Sequence, residues 1–211
     1  THGLLQARRL NKVLPQLGML VNARTAHCDA FLNDFDGVEQ VVLLGAGLDM
    51  RPARMAHRLR GVTVFELDLP VMLSERGNVI QKMAEKRRPR AVKFQERHPI
   101  AADFLRDDPG SLLRGNRAFS ETAVTAVIYE GCSMYFDEAQ NIAILSSVLR
   151  RMKNRESRLW MDCVSPEAVS DEIPDKNVHE FINQMELIGE KFIFGPRDPI
   201  AFLRASGWIL E

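Results

Sequence analysis

The segment QVVLLGAGLD, residues 40–49, joins a run of branched apolar side chains to two closely spaced glycines. The apolar run is short and rich in β-branched residues, which predicts a buried strand over residues 40–44. Glycine at positions 45 and 47 lets the backbone turn sharply and lets a ligand approach where a Cβ would otherwise stand. A helical pattern follows and ends at Gly61. This order of strand, turn and helix is typical of nucleotide sites, although the glycine spacing by itself is not specific.

Strand and helix patterns alternate outward from this segment. Branched and aromatic residues predict further strands over 62–67, 91–95, 123–129, 158–164, 192–194 and 208–210. Apolar residues at three- and four-residue spacing predict helices over 4–35 (interrupted at Pro15), 71–83, 138–152, 177–188 and 199–206. The alternation predicts an α/β fold with a mostly parallel sheet and helices on both faces. We divide the chain into a helical N-terminal cap, residues 1–36, and one globular unit, residues 37–211.

Composition excludes several classes of function. The 211 residues carry 28 Lys and Arg against 28 Asp and Glu, so no general field favours nucleic acid or an anionic membrane. We find no apolar stretch that predicts a membrane span and no signal-peptide pattern. Three widely spaced cysteines predict neither a disulfide framework nor a metal site, which favours the cytoplasm. The chain begins at Thr1 rather than Met, as a piece of a longer protein would.

Two residues beside the glycines decide between kinds of nucleotide. A dinucleotide fingerprint requires a third small residue where this chain has Met50, which is too large for close contact between helix and strand. Asp49 places negative charge where a helix N-terminus would receive phosphate. Both features favour a cationic ligand without phosphate, such as S-adenosylmethionine.

A carboxylate at the end of the second predicted strand suits a ribose. Asp68 lies 21 residues after Gly47 and can accept hydrogen bonds from both ribose hydroxyls. Glu66 shares its side of the strand, but we prefer Asp68 because it lies further toward the open end. The alternative for Asp68 is a surface carboxylate that caps the next helix.

These motifs together resemble the leucine carboxyl methyltransferase family. The match begins with VVLLGAGLDMR at 41–51 and VFELDLP at 64–70, and continues with EGCSMYF at 130–136. Upstream, NART at 22–25 is similar to the arginine-bearing helix of the family, and downstream FG at 194–195 and ASGW at 205–208 are similar to its closing segment. The resemblance is strongest to the bacterial branch of S-adenosylmethionine-dependent O-methyltransferases.

The resemblance implies a Rossmann-like class I methyltransferase fold whose sheet is completed by a late antiparallel strand. Residues 37–211 would then form the domain that binds S-adenosylmethionine and releases S-adenosylhomocysteine. The cofactor-binding residues that the resemblance implies are Arg24, Gly45, Ala46, Gly47, Asp68, Leu69, Asp103, Phe104, Glu130 and Gly131. Arg24 would pair with the carboxylate of the cofactor, and Asp68 would hold its ribose. Asp103 and Phe104 would flank the adenine, and Tyr135 is a candidate substrate contact.

The activity that the resemblance implies is methyl transfer to oxygen, and the expected acceptor is the carboxylate of a small molecule, such as a secondary metabolite. An ionised carboxylate needs no general base, so no catalytic residue is assigned beyond the possible contact at Tyr135. A protein with a C-terminal leucine is the alternative acceptor. Two functions of other classes stay open, a nicotinamide-dependent oxidoreductase and a nucleotide-binding module without catalysis. The sequence leaves the oligomeric state open.

Overall fold

The computed structural model describes residues 17–86, 96–170, 172–187 and 189–210. Its strands are β1 (Gln40–Leu44), β2 (Thr63–Asp68), β3 (Arg97–Ala101), β4 (Thr125–Tyr129) and β5 (Arg158–Met161). Its α-helices are α1 (Leu17–Asp34), α2 (Arg51–Arg54), α3 (Pro70–Lys86), α4 (Pro109–Gly115), α5 (Glu138–Leu149), α6 (Lys176–Leu187) and α7 (Pro199–Ala205). Two short 3₁₀ turns cover Ser133–Tyr135 and Pro166–Ala168.

The five strands form one parallel sheet in the order β3-β2-β1-β4-β5. β1 lies at its centre, with Val42 opposite Phe65 of β2 and Val127 of β4. The chain moves outward from β1 in one direction through β2 and β3, and in the other through β4 and β5. The crevice between the carboxyl ends of β1 and β4 is therefore the point where strand order reverses, which is where such sheets bind ligands.

Helices bury both faces of the sheet. On one face, Cys28 and Leu32 of α1 pack with alternate residues of β1 and with Trp160 of β5. On the other face, the remaining β1 residues pack against α4, α5 and α7, for example at Leu113, Leu145 and Phe202. The prediction of an α/β fold with a parallel sheet and helices on both faces is confirmed. The boundary at residue 36 stays a prediction.

A capping box with Asp137 as the N-cap begins α5. The Asp137 side chain accepts from the backbone N–H of Gln140 at 2.8 Å, and the Gln140 side chain accepts from the Asp137 N–H at 2.8 Å. This reciprocal pair satisfies two donors that a helix end otherwise leaves open. The buried face of α5 comprises Asn141, Ile144, Leu145, Ser147 and Val148.

Some predicted elements are wrong. Residues 192–194 and 208–210 are not strands; Phe194 and Trp208 enter the core from irregular segments, and Trp208 Nε1 donates to the Leu145 carbonyl at 3.3 Å. No antiparallel strand joins the sheet among the residues described. The predicted strand at 91–95 lies outside those residues, and the strand that pairs with β2 on the side away from β1 is Arg97–Ala101. The helix predicted to reach Gly61 ends at Arg54 and continues as hydrogen-bonded turns.

Candidate functional site

The glycine turn after β1 requires glycine for two reasons. Gly45 and Gly47 have φ values of 69° and 44°, in the left-handed region that residues with a Cβ rarely adopt. A Cβ on Gly45 would also lie 2.6 Å from the sulfur of Cys132, which follows β4. The turn therefore brings the loop after β4 into direct contact with the end of β1.

Asp68 ends β2 with its carboxylate held in a fixed orientation. One oxygen accepts from the backbone N–H of Gly47 at 2.6 Å, and the other accepts from its neighbour Leu69 at 2.7 Å. The side chain stays half-exposed, with acceptor capacity left for a ligand. Glu66, the alternative, is fully buried and paired with two arginines. The geometry therefore favours Asp68 over Glu66 as the group that meets a ribose.

A cleft of about 410 Å³ opens beside the glycine turn at the carboxyl ends of β1 and β4. It is lined by the turn itself, by α1 and α2, and by the first residues after β4: Arg24, Thr25, Leu43, Leu44, Gly45, Ala46, Gly47, Leu48, Asp49, Met50, Arg51, Arg54, Ile128, Glu130 and Gly131. Six of the ten predicted cofactor residues line this cleft, namely Arg24, Gly45, Ala46, Gly47, Glu130 and Gly131.

Glu130 lies between two arginines of the cleft. It accepts from Arg24 Nε at 2.8 Å and forms a second ion pair with Arg51. Arg24 also pairs with Asp162 at 3.2 Å, and Asp162 accepts from the backbone N–H of Gly131 at 2.6 Å. Arg24 is thus held by two carboxylates in the structure, one after β4 and one after β5.

Arg51 joins three elements at the base of the cleft. Its guanidinium pairs with Asp29 of α1 at 2.9 Å, with Asp49 of the turn at 2.7 Å, and with Glu130. The side chain is only 3% exposed, and its Nη2 has no hydrogen-bond partner among the residues described. Asp49 also accepts from the Arg51 backbone N–H at 2.8 Å. Asp49 therefore occupies the Arg51 backbone N–H at the start of α2, a donor that a bound phosphate would need.

The network carries an excess of negative charge. Its ion-paired carboxylates are Asp29, Asp49, Glu130 and Asp162, and its guanidiniums are Arg24, Arg51 and Arg54; Asp68, bound to the Gly47 N–H, adds a carboxylate beside the network. A cleft with this balance attracts a ligand that carries a cationic centre, and its arginines still offer partners for a carboxylate.

Burial shifts the pKa of two groups next to the cleft. The pKa of Asp162 lies above its ordinary value, because burial outweighs the hydrogen bond from Gly131 and the nearby charge of Arg24. Burial, assisted by the charge of Asp68, raises the pKa of the Cys132 thiol to about 12. Cys132 is therefore neutral near pH 7 and serves as packing below Gly45 rather than as a nucleophile.

The other predicted residues lie outside the cleft lining. Asp103 follows β3, next to the strand that ends at Asp68, and accepts from the Leu105 N–H at 3.1 Å. Phe104 packs against Phe136 with ring centroids 6.1 Å apart. Asp68, Asp103 and Phe104 thus lie on the β2–β3 side of the glycine turn, and their roles toward a cofactor stay predictions. Leu69 is 44% exposed beside them.

Tyr135 lies in the 3₁₀ turn after β4 and contacts the Phe192 ring, with centroids 5.8 Å apart. Burial and the neighbouring charge of Glu190 raise the pKa of Tyr135 to about 12. It does not line the cleft. Its role as a substrate contact stays a prediction.

Sequence reasoning missed Asp29 and Asp162. Asp29 lies 22 residues from Arg51 on another element, and no local pattern marks such a pair. Asp162 directly follows β5, whose carboxyl end lies beside that of β4. Since parallel strands bring their carboxyl ends to one edge, that position could have been singled out beside Glu130.

Over residues 17–86, 96–170, 172–187 and 189–210, no three His, Cys, Asp or Glu side chains are grouped as a metal site. No helix in the same ranges has the length and apolar character needed to cross a bilayer.

Residues 4–149 match the family model described as leucine carboxyl methyltransferase. A protein from Mycobacteroides abscessus, provisionally named an S-adenosyl-L-methionine-dependent methyltransferase, is 30% identical over 89% of this chain and 61% of its own length. A Streptomyces coelicolor protein with the same kind of name is 30% identical over 82% of this chain and 55% of its own. The chain thus spans somewhat more than half the length of these relatives.

Solved structures agree on the fold. A DUF574 family protein from Streptomyces avermitilis superposes with a TM-score of 0.68 at 15% identity, over 94% of this chain and 72% of that chain. An O-methyltransferase family protein from Burkholderia thailandensis gives a TM-score of 0.58 at 15% identity, over 96% of this chain and 65% of that chain. These likenesses confirm the Rossmann-like class I methyltransferase fold.

Proposed function

Because the chain belongs to the leucine carboxyl methyltransferase family, we propose that it binds S-adenosylmethionine and transfers the methyl group to an oxygen atom. The acceptor in this proposal is a carboxylate of a small molecule, and the product is a methyl ester. The relatives named above are described as S-adenosyl-L-methionine-dependent methyltransferases, which supports the cofactor. The acceptor rests on the family description and on the chemistry of the cleft.

The observation that carries the proposal is the pairing of Gly47 with Asp68. The 2.6 Å hydrogen bond from the Gly47 N–H fixes a half-exposed carboxylate at the end of β2, directly beside a cleft rich in ionic groups. A bound nucleoside could place its sugar hydroxyls on Asp68 and its cationic end in the cleft. The Asp68 carboxylate and the ionic groups of the cleft together therefore fit S-adenosylmethionine, which combines a ribose, a cationic sulfur, an ammonium and a carboxylate.

The cleft supports the reaction by orientation and charge. When bound, S-adenosylmethionine supplies a methyl group on a positively charged sulfur, which an ionised carboxylate can accept without a general base. Glu130, Asp49 and Asp162 favour the cationic end of the ligand, and Arg24 can pair with a ligand carboxylate. With the Cys132 thiol neutral, the neighbouring residues hold the reactants in line rather than form a covalent intermediate.

A calorimetric titration with S-adenosylmethionine, S-adenosylhomocysteine and NADH tests the proposed cofactor. We expect the first two ligands to bind and NADH not to, because Asp49 already takes up a donor at the start of α2. Binding of NADH alone would contradict the proposal and favour the oxidoreductase. Binding of S-adenosylmethionine without turnover on any acceptor would favour the non-catalytic module.

A second assay tests the acceptor once cofactor binding is established. The protein is incubated with radiolabelled S-adenosylmethionine and a panel of small carboxylic acids, their amides as matched controls, and a peptide that ends in leucine. We expect base-labile methyl esters from the small acids and none from the amides. Labelling of the leucine peptide alone would contradict a small-molecule acceptor and favour a protein substrate.

A further inference from the structure

A buried carboxylate lies in the sheet directly beneath the glycine turn. Glu66 of β2 is fully buried, and it accepts from Arg76 of α3 at 2.8 Å and from Arg97 of β3 at 2.8 Å. Burial by itself would raise the pKa of the Glu66 carboxyl, but hydrogen bonds from Arg97 and Arg76 outweigh burial and hold that pKa below its ordinary value. Glu66 is therefore ionised, and the proposed reaction does not use it.

One of the two arginines also reaches the turn. Arg76 is 1% exposed, and its Nη1 lies 3.4 Å from the carbonyl oxygen of Ala46 and 3.4 Å from that of Gly47. Its other terminal nitrogen, Nη2, is the one that binds Glu66. The planar fork of a single guanidinium thus connects the buried carboxylate to two consecutive carbonyl groups of the turn.

The turn is consequently held on both sides of its backbone. Arg76 contacts the carbonyl oxygens of Ala46 and Gly47, while the N–H of Gly47 donates to Asp68 at 2.6 Å. Because peptide groups are planar, fixing the carbonyl groups restricts the rotation of the adjoining N–H groups. A free turn with two glycines would populate many other backbone conformations.

We propose that Arg76 is a positioning residue of the cofactor site: anchored by Glu66, it fixes the Ala46–Gly47 peptides so that the Gly47 N–H orients the Asp68 carboxylate toward the ribose. This inference rests on the proposed function. It assigns to α3, which does not line the cleft, a direct role in cofactor affinity.

Arg97 provides a matched control within the same cluster. It binds the same carboxylate through Nε and Nη2, and none of its recorded contacts among the described residues is with the turn. A change at either arginine removes a partner of Glu66. Only a change at Arg76 also removes the contact with the turn. Lysine is the suitable replacement at each position, because it keeps the charge and lacks the fork that holds two partners at once.

The experiment compares wild type, Arg76→Lys, Arg97→Lys and Asp68→Asn, with the double variant Arg76→Lys/Asp68→Asn. Calorimetry gives the dissociation constant for S-adenosylmethionine, thermal denaturation gives stability, and NMR hydrogen exchange reports the Gly47 amide without ligand. We expect Arg76→Lys to weaken binding about tenfold, the effect of one lost charge-assisted hydrogen bond, and Arg97→Lys to change it less than about twofold. Of the two lysine variants, only Arg76→Lys should exchange the Gly47 amide faster than the wild type does.

The double variant separates positioning from general loss of structure. If Arg76 acts through Asp68, Arg76→Lys should have little further effect once Asp68 is already changed. Additive losses, equal losses in the two lysine variants, or unchanged Gly47 exchange in Arg76→Lys would overturn the inference while leaving the proposed function in place. Failure of the wild type to bind S-adenosylmethionine, with the Gly47 amide protected, would overturn the proposed function and this inference with it.

Discussion

At the residue scale, the proposed ribose acceptor Asp68 is oriented by the backbone of the glycine turn. Its position 21 residues after Gly47 indicated a ribose acceptor, and the structure adds that Gly47 itself donates to it. The carboxylate thus has a fixed orientation before any ligand arrives, so binding need not order it.

Replacing Asp68 by alanine should weaken S-adenosylmethionine binding by about 1–3 kcal/mol, since the ribose would lose a partly buried acceptor. Calorimetry at fixed salt concentration measures the change. Asp36→Ala is the matched control, because Asp36 is fully exposed and precedes β1, whereas the turn follows the other end of that strand. Equal affinity in wild type and Asp68→Ala would show that another group holds the ribose.

Replacing Arg51 by methionine should destabilise the fold by about 3–5 kcal/mol, because three carboxylates would lose a buried partner. Arg54→Met is the comparison: Arg54 shares Asp29 with Arg51 but is 46% exposed, so its loss should cost about 0–1 kcal/mol. Urea denaturation measures both free energies of unfolding. Similar costs for the two variants would mean that Arg51 does not act as the shared partner of the network.

At the scale of elements, the sequence predicted strands β1, β2, β4 and β5, because short branched apolar runs bounded by turn residues are typical of buried strands. β3 was not, since Arg97–Ala101 is polar and contains a proline. It lies at the edge of the sheet that the described residues form, where one side of its backbone pairs with no strand of that sheet and proline is tolerated. The two wrong strands failed for the opposite reason: each segment buries one aromatic side chain, Phe194 or Trp208, without joining the hydrogen-bonded ladder of the sheet.

The contact between α4 and α5 depends on a glycine. A Cβ at Gly110 would lie 2.1 Å from the Ser147 carbonyl oxygen, so Gly110→Ala should push the helices apart and cost about 1–3 kcal/mol. Gly77→Ala in α3 meets nothing within 4 Å and should instead stabilise the helix by about 0.5–1 kcal/mol. Thermal denaturation of the two variants should therefore shift in opposite directions. A stabilised Gly110→Ala variant would contradict the close packing of α4 on α5.

At the scale of the whole molecule, the site combines residues that the sequence could indicate with residues it could not. The glycine turn comes just after β1 and Glu130 just after β4, and Gly45, Gly47 and Glu130 were predicted to lie near the ligand. Asp29 and Asp162 depend on how α1 and β5 pack, which no local pattern specifies. The location of the cleft was therefore predictable, whereas its charge balance required the structure.

Stability should fall as the pH rises above about 9. Burial raises the pKa of Cys28 from 9.0 to about 12, so the folded state keeps a proton that the unfolded state releases. This contribution is complete below pH 9 and is lost as the pH rises toward the folded value, with a slope of at most about 1.4 kcal/mol per pH unit for each such group.

Urea denaturation under reducing conditions between pH 8 and pH 11 measures this slope. In Cys28→Ala, the free energy of unfolding should fall less steeply with pH than in the wild type. Part of the pH dependence should remain in the variant, because the pKa of Cys132 is also raised to about 12. Parallel profiles for wild type and Cys28→Ala would contradict the assignment to Cys28.

Pro99 in the edge strand has a consequence for behaviour in concentrated solution. In the parallel ladder, Glu96 accepts from Val64 and Ala102 donates to Asp68, so the alternate residues, including Pro99, turn their backbone away from β2. The outward side of β3 therefore lacks an N–H at its centre. An incoming strand from another molecule could not complete its bonds there, and this edge resists the sheet extension through which unpaired strands nucleate fibrillar aggregates.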